Sequence, residues 1–376
     1  MSLKASGVVP DGTTEQWRDR KRYLWLMGLV VPSLAFVALG LYALTHWGLF
    51  LWTGPIVIFV IVPLADLIIG IDTSNPPDEM IEELENDKYY RYVTFAFLPL
   101  QYAGFIVAMY LIGTTDWPVV DKIGMAISIG CVGGIAINTA HELGHKREKE
   151  ERWLGKIALA QTAYGHFFIE HNRGHHRRVA TPDDPASARR GETVYAFWLR
   201  SITGSFASAW HLEAERLRNL GRSPWSLDNQ MLVFQLVQAA AILVVGVLAG
   251  PAALGAWLVA SLGGALLLET VNYIEHYGLS RGRAEHGGWE RVRPEHSWNT
   301  NRPGGRAFLF DLTRHSDHHA HATRPYAILR HHDEAPEMPF GYPAMILIAL
   351  VPPLFFAILD PAVDAWRSSH PAPAAR

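Results

Sequence analysis

Half of the chain's eighteen histidines fall into four short clusters. His141-Glu142-Leu143-Gly144-His145 places two imidazoles four residues apart, on one helical face and about one turn from each other. In Glu170-His171-Asn172-Arg173-Gly174-His175-His176, His171 and His175 repeat that spacing and His176 points in a neighbouring direction. Asn272-Tyr273-Ile274-Glu275-His276-Tyr277-Gly278 carries a single histidine, and His315-Ser316-Asp317-His318-His319 carries three at i, i+3 and i+4. One metal takes roughly four to six ligands, so nine imidazoles ask for two metals. Imidazole suits zinc, copper, iron or nickel, and open positions for substrate chemistry favour iron or copper over a closed zinc site. Glu142, Glu170, Glu275 and Asp317 stand beside the histidines, where carboxylates commonly fix imidazole tautomers and raise ligand basicity. A lone cysteine, Cys131, excludes a thiolate site and a disulfide framework.

The elements that must position these clusters are membrane helices. Apolar runs of about 20 residues mark transmembrane spans, and six are expected, at 23–46, 49–71, 92–113, 118–140, 231–250 and 252–275. Arg18, Arg20, Lys21 and Arg22 precede the first span, which puts the N-terminus in the cytoplasm. The arginine-rich segment 141–230 and everything after 276 then lie on that side too. The 72–91 loop runs against the trend with Asp78, Glu79, Glu82, Glu83 and Glu85, but acidic residues contribute little to topology. The stretch 343–359 is short and broken by Pro343, Pro352 and Pro353, which reads as re-entrant, interfacial or packed on the cytoplasmic part. The expected architecture is an all-α integral membrane protein: a cytoplasmic segment 1–22, a six-helix domain 23–365 with a cytoplasmic helical cap carrying the histidines, and a tail or linker 366–376. Net charge of −3 leaves no case for a nucleic-acid binder.

All four clusters fall on one predicted face of the membrane, so helix ends can converge on a single site. His46 lies on the other face. His211, His286, His331, His332 and His370 are expected to be exposed, while His166, His296 and His321 flank the clusters. Two ionisable residues fall inside spans, Asp66 and Glu269, and such residues are costly in lipid unless they have a task. Glu269, Asn272 and His276 recur on one helical face, which suggests hydrogen bonding near the metals or proton delivery; Asp66 is close enough to its helix end to be hydrated.

These motifs resemble a known family, the membrane-bound alkane hydroxylases of the AlkB type. The resemblance is carried by Asn138-Thr139-Ala140-His141-Glu142-Leu143-Gly144-His145-Lys146 and by Gly165-His166-Phe167-Phe168-Ile169-Glu170-His171-Asn172 with Gly174-His175-His176. It continues through Val179-Ala180-Thr181-Pro182, Asp184-Pro185-Ala186, Gly191-Glu192, Asn272 to Leu279, and Arg314-His315-Ser316-Asp317-His318-His319-Ala320-His321. It implies a bacterial cytoplasmic-membrane enzyme with two non-haem irons held by His141, His145, His171, His175, His176, His276, His315, His318 and His319. It further implies electrons from rubredoxin, reduced in turn by an NADH-dependent reductase, and terminal oxidation of a medium-chain n-alkane by dioxygen. Arg147, Lys149, Arg152, Arg177 and Arg178 would suit an acidic donor and equally obey the positive-inside rule.

An alkane has no polar handle, so an apolar channel between helices is expected, with Trp52 and Ile58 on the second span as candidate walls. A lipid desaturase or an aromatic-methyl hydroxylase would share the scaffold. A membrane zinc protease would explain His141-Glu142-Leu143-Gly144-His145 alone, and a metal transporter would place its site near the bilayer midplane.

Overall fold

The computed structural model describes residues 5–8, 14–285 and 287–370. Two short antiparallel strands, β1 (Ala5–Val8) and β2 (Thr14–Trp17), pair Ala5 with Trp17. They amend the all-α expectation; Pro10-Asp11-Gly12, a turn-forming sequence, lies between them in the chain.

The rest is helical. α1 (Leu24–Thr45) and α2 (Gly48–Ile69) are followed by the short α3 (Ile81–Asn86), α4 (Lys88–Thr114) and α5 (Val119–Gly144). α6 (Lys149–Ala160), α7 (167–178) and α8 (Val194–Asn219) lead to α9 (Gln230–His276). α10 (Pro303–Phe308), α11 (His315–Ala320), α12 (Tyr342–Ala349) and α13 (Pro352–Ser369) complete the chain. Five of these, α1, α2, α4, α5 and α9, are long and apolar enough to cross a membrane. They match the expected spans, except that the last two form one helical run of 47 residues broken at Gly250 (φ 79°), just before Pro251. α9 begins beside α8, where Gln230 N–H donates to Glu213 Oε1 at 3.1 Å. It approaches the far end of α4 at Ala249, whose carbonyl lies against Gly113, and returns to end on His276.

α5 is the central post and is almost wholly enclosed. Gly130 and Gly134 face Gly264 of α9 so closely that a Cβ on Gly134 would lie 3.1 Å from the Gly264 carbonyl oxygen. Small residues at a four-residue interval allow this backbone approach, the usual solution where lipid supplies no hydrophobic drive between helices. α2 is irregular: it carries Pro55 and Pro63, and its Val57–Ile61 turn widens to i→i+5 bonding where Pro63 offers no N–H.

At the end of the bundle where α5 and α9 terminate, the loops are tied down by charge. Asp66 is not hydrated at a helix end as expected. It is 3 % exposed, and its Oδ1 accepts from the Gly304 N–H at 2.7 Å, fastening α10 to α2. Asp72 joins Lys21 (2.6 Å) and Arg306 (2.9 Å). The 343–359 stretch forms α12 and the first half of α13, packed on Tyr273 and Tyr277 through Tyr342, Phe355 and Leu359. α13 carries helix into the expected tail as far as Ser369, with Arg367 Nε donating to the Gly278 carbonyl at 2.9 Å.

Candidate metal centre

Four elements deliver the nine clustered histidines to one place. The last turn of α5 presents His141 and His145, α7 presents His171, His175 and His176, α9 ends on His276, and α11 presents His315, His318 and His319. Their ring nitrogens form two groups, each with donor atoms within 4.8 Å of one another: His141, His145, His171, His176 and His318 in one; His175, His276, His315 and His319 in the other.

The division differs from the shared face expected of His171 and His175. Residues His171–His175 form a π-turn, in which the His176 N–H reaches the His171 carbonyl. An i→i+5 turn brings His171 into register with His176, not with His175. Their Nε2 atoms lie 2.9 Å apart, while His175 turns to the second group with its Nε2 3.2 Å from that of His319. α11 splits likewise, i+3 from i+4. His318 joins His141 (2.8 Å) and His176 (3.1 Å), whereas His315 and His319 face each other at 2.8 Å and His276 lies 3.2 Å from His315.

This geometry fits metal ions. With metal–nitrogen bonds of about 2.1 Å, adjacent nitrogens around one ion sit about 3 Å apart, the separation these Nε2 atoms show. A facing pair of neutral imidazoles can share one proton, but His318 Nε2 faces both His141 and His176, and the buried His145 Nε2 has no hydrogen-bond partner at all. The rings are also in the ligating form. Burial first, and then the neighbouring imidazoles, holds His145, His171, His176, His315, His318 and His319 well below the ordinary histidine range. Neutral imidazole is the species that binds metal.

The acidic neighbours divide in function. Glu275 Oε2 lies 3.2 Å from His315 Nε2, the nitrogen that faces the group's centre, so this carboxylate stands at the mouth of the four-histidine group and not behind a ring. Glu170 bonds Arg178, and Glu142 pairs with Lys146 (2.5 Å) and accepts from the Tyr326 N–H (3.2 Å). Asp317 binds Arg324, His332 and His321 and anchors the 321–332 segment. None of these three touches a clustered imidazole by a hydrogen bond. Glu269 accepts from the Tyr164 hydroxyl at 2.7 Å, and with Asn272 it lines a small cavity bordered by His171 and His175.

Two contacts were not singled out from the sequence. Asp184 Oδ2 lies 2.9 Å from His175 Nδ1 and also accepts from the Ser187 hydroxyl. Burial raises the Asp184 carboxyl, and the His175 ring, the Ser187 hydroxyl and the His276 ring together bring it below the usual range. Ser297 Oγ lies 3.4 Å from His276 Nδ1. Asp184 stands in a motif already visible as Asp184-Pro185-Ala186, but nothing in its spacing points to His175.

The flanking histidines stay out of both groups. His166 is buried against Tyr164, and burial pushes it down to about 4. His296 bonds Glu290. His331 and His332 are not exposed as expected: His331 meets Asn301 and His332 meets Asp317 at 2.8 Å. His286 lies outside the described residues.

An almost wholly apolar cleft lies between α2, α5, α9, α10 and α12, lined by Ile58, Val62, Ile135, Leu268, Val271 and Leu312 among others. Leu312 and Asn138 on its wall each precede a clustered histidine by three residues. Ile58 is among the residues that line this cleft. Trp52 does not line it; its ring packs on Gly124, farther from the histidines along α2.

With the geometry in hand, the chain can be compared with known proteins. The fatty acid desaturase family matches residues 116–349. Alkane 1-monooxygenase from Acinetobacter baylyi is 45% identical over 92% of this chain and 85% of its own length. Alkane 1-monooxygenase 1 from Alcanivorax borkumensis is 43% identical over 95% and 88%. The hydroxylase component of xylene/toluene monooxygenase from Pseudomonas putida is 31% identical over 67% and 68%. The matched desaturase region contains all nine clustered histidines, and similarity to the first two relatives runs nearly the full chain, so this multi-pass membrane protein belongs to the fatty acid desaturase family and, within it, to the alkane 1-monooxygenases.

Proposed function

We propose that the protein is a di-iron monooxygenase that hydroxylates the terminal carbon of medium-chain n-alkanes, using dioxygen and electrons from rubredoxin. The observation that carries this reading is the convergence of nine imidazole nitrogens in a group of five and a group of four, next to an apolar cleft. His141, His145, His171, His176 and His318 would hold one iron. His175, His276, His315 and His319 would hold the other, with Glu275 Oε2 in reach as an oxygen donor. Bound iron supplies the activation of dioxygen that no side chain can perform.

The remaining work belongs to the chain. Asp184 orients His175 through its Nδ1, and Ser297 does the same for His276. The cleft binds by burial alone, worth about 0.8 kcal/mol per methylene, and its aliphatic walls exclude water. Ile58 is part of the cleft's apolar lining. Trp52 lies outside that lining, six residues earlier on α2 and so roughly 9 Å farther out, where it would act as a stop for the longest chains. Glu269, Asn272 and Tyr164 form a polar shelf beside His171 and His175, suited to holding or passing a proton.

Six membrane crossings are the reading that suits α9. A run of 47 residues is about 70 Å long, more than twice the hydrocarbon thickness. Its break at Gly250 falls opposite the end where both its termini lie. The arginines around the histidine-bearing end support a cytoplasmic orientation for it, in a bacterial inner membrane. Arg147, Lys149, Arg152 and Arg177 offer charge to an acidic rubredoxin there.

The test is product analysis. Purified protein given octane, dioxygen, rubredoxin, its reductase and NADH should yield 1-octanol, absent when the donors are omitted. An iron-loaded preparation that makes no alcohol from any medium-chain alkane, yet oxidises p-xylene or desaturates an acyl chain, would refute the substrate assignment.

A further inference from the structure

The acidic 72–91 loop, which ran against the topology rule, has a place in the structure. Together with the start of α4, the end of α5 and the 323–326 segment, it encloses a polar cavity of about 600 Å³. Exposed Glu82, Glu85 and Glu148 stand on its lining, with Lys88 and Arg147 as the exposed cations; Glu142 and His145 line it from α5.

Three features single this cavity out. It reaches a clustered histidine directly, and His145 is one of only two of the nine, with His176, that are not fully buried. The four-histidine group is buried throughout. Second, Glu151 on the wall is only 1 % exposed. Its Oε1 bonds Arg91 at 2.7 Å, and its Oε2 has no partner. A buried, unsatisfied carboxylate oxygen is costly, and a hydrated cation in the cavity would satisfy it. Third, Arg91 and Lys146 are bound to Glu151 and Glu142, which leaves the exposed rim with three carboxylates, Glu82, Glu85 and Glu148, against two cations, Lys88 and Arg147.

We propose that this acidic vestibule is the entry path for ferrous iron, which passes Glu151 and is delivered at His145, so that the five-histidine group fills first. The inference rests on the metal-centre reading above, and not on the identity of the substrate. Negative charge around a concave opening raises the local concentration of a divalent cation and its rate of entry, and salt screens the effect.

The experiment measures metal uptake and not turnover. Protein in lipid nanodiscs is stripped of iron with a chelator, given ferrous iron under anaerobic conditions, quenched with chelator at intervals, and assayed for bound iron. The wild type is compared with the triple variant Glu82→Gln/Glu85→Gln/Glu148→Gln and, separately, with Glu151→Gln. The triple variant should load about tenfold more slowly at low salt, reach the wild-type plateau, and lose its disadvantage as salt rises. Glu151→Gln should also load slowly, with less dependence on salt. Equal loading rates in all three proteins would overturn the proposal. So would a plateau that falls along with the rate, because the residues would then be supporting the centre itself. Failure of the wild type to take up iron would instead remove the metal-centre reading, and the vestibule with it.

Discussion

The two histidine groups are built differently. The five-histidine group has one more nitrogen, two half-buried members and an opening toward a polar cavity. Its α7 segment is held to α8, by Arg173 on Glu213 and by Arg178 on the Ser208 hydroxyl. The four-histidine group is sealed. Asp184 and Ser297 sit behind two of its rings, and Glu275 stands beside a third. Here a carboxylate oxygen is available where the other group has a fifth imidazole. The site thus combines a reachable half with an enclosed half.

The largest expected effect tests that asymmetry. His315→Ala leaves three histidines in the sealed group, so iron should fall by about one per chain and octanol formation by at least 100-fold. His145→Ala leaves four in the open group and should retain more iron and more activity. Equal iron loss in the two variants, by metal analysis, would erase the distinction. Next come the acids of the sealed group. Asp184→Asn and Glu275→Gln should each cost roughly 10–100-fold in activity or metal affinity, while Glu142→Gln, whose carboxylate bonds no clustered ring, should cost much less.

A smaller effect concerns the apolar cleft, whose wall includes Asn138 and Leu312, each three residues before a clustered histidine. Ile58→Trp should lower turnover of the longest accepted alkane about tenfold relative to octane, and Trp52→Ala should admit longer chains. A product series unchanged by Trp52→Ala removes that residue as the stop beyond the cleft.

The smallest effect is on stability at the open half. Glu213 is fully enclosed. Burial raises its carboxyl, but Arg216, the Gln230 N–H and Arg173 bring it down to about 2. Because its folded value lies below the ordinary value of about 4.3, its contribution is present above that pH and is lost as pH falls through about 2. Glu213→Gln should therefore lower Tm by roughly 5 °C at neutral pH, with the gap to wild type closing in acid. A constant gap across that range would mean that the ion pairs contribute nothing.

Local spacing in the chain determined much of this. Apolar runs specify long helices because each must satisfy its own backbone in lipid, and α1, α2, α4 and α5 begin and end within a few residues of where the runs do. The nine ligand candidates were legible for the same reason: imidazoles at i, i+3 and i+4 near the ends of such helices have few other uses. Tertiary structure decided how they are shared. The π-turn at His171–His175 exchanges the partners of His171, which no count of residues reveals, because an i→i+5 turn and an i→i+4 turn can be written in the same sequence. Asp184 finds His175 through a loop, and Asp66 finds Gly304 across 238 residues. Such contacts depend on which surfaces meet, and sequence distance carries no trace of that. The acidic loop makes the same point: in the sequence it was an exception to a charge rule, and only the fold sets it over a cavity that reaches His145.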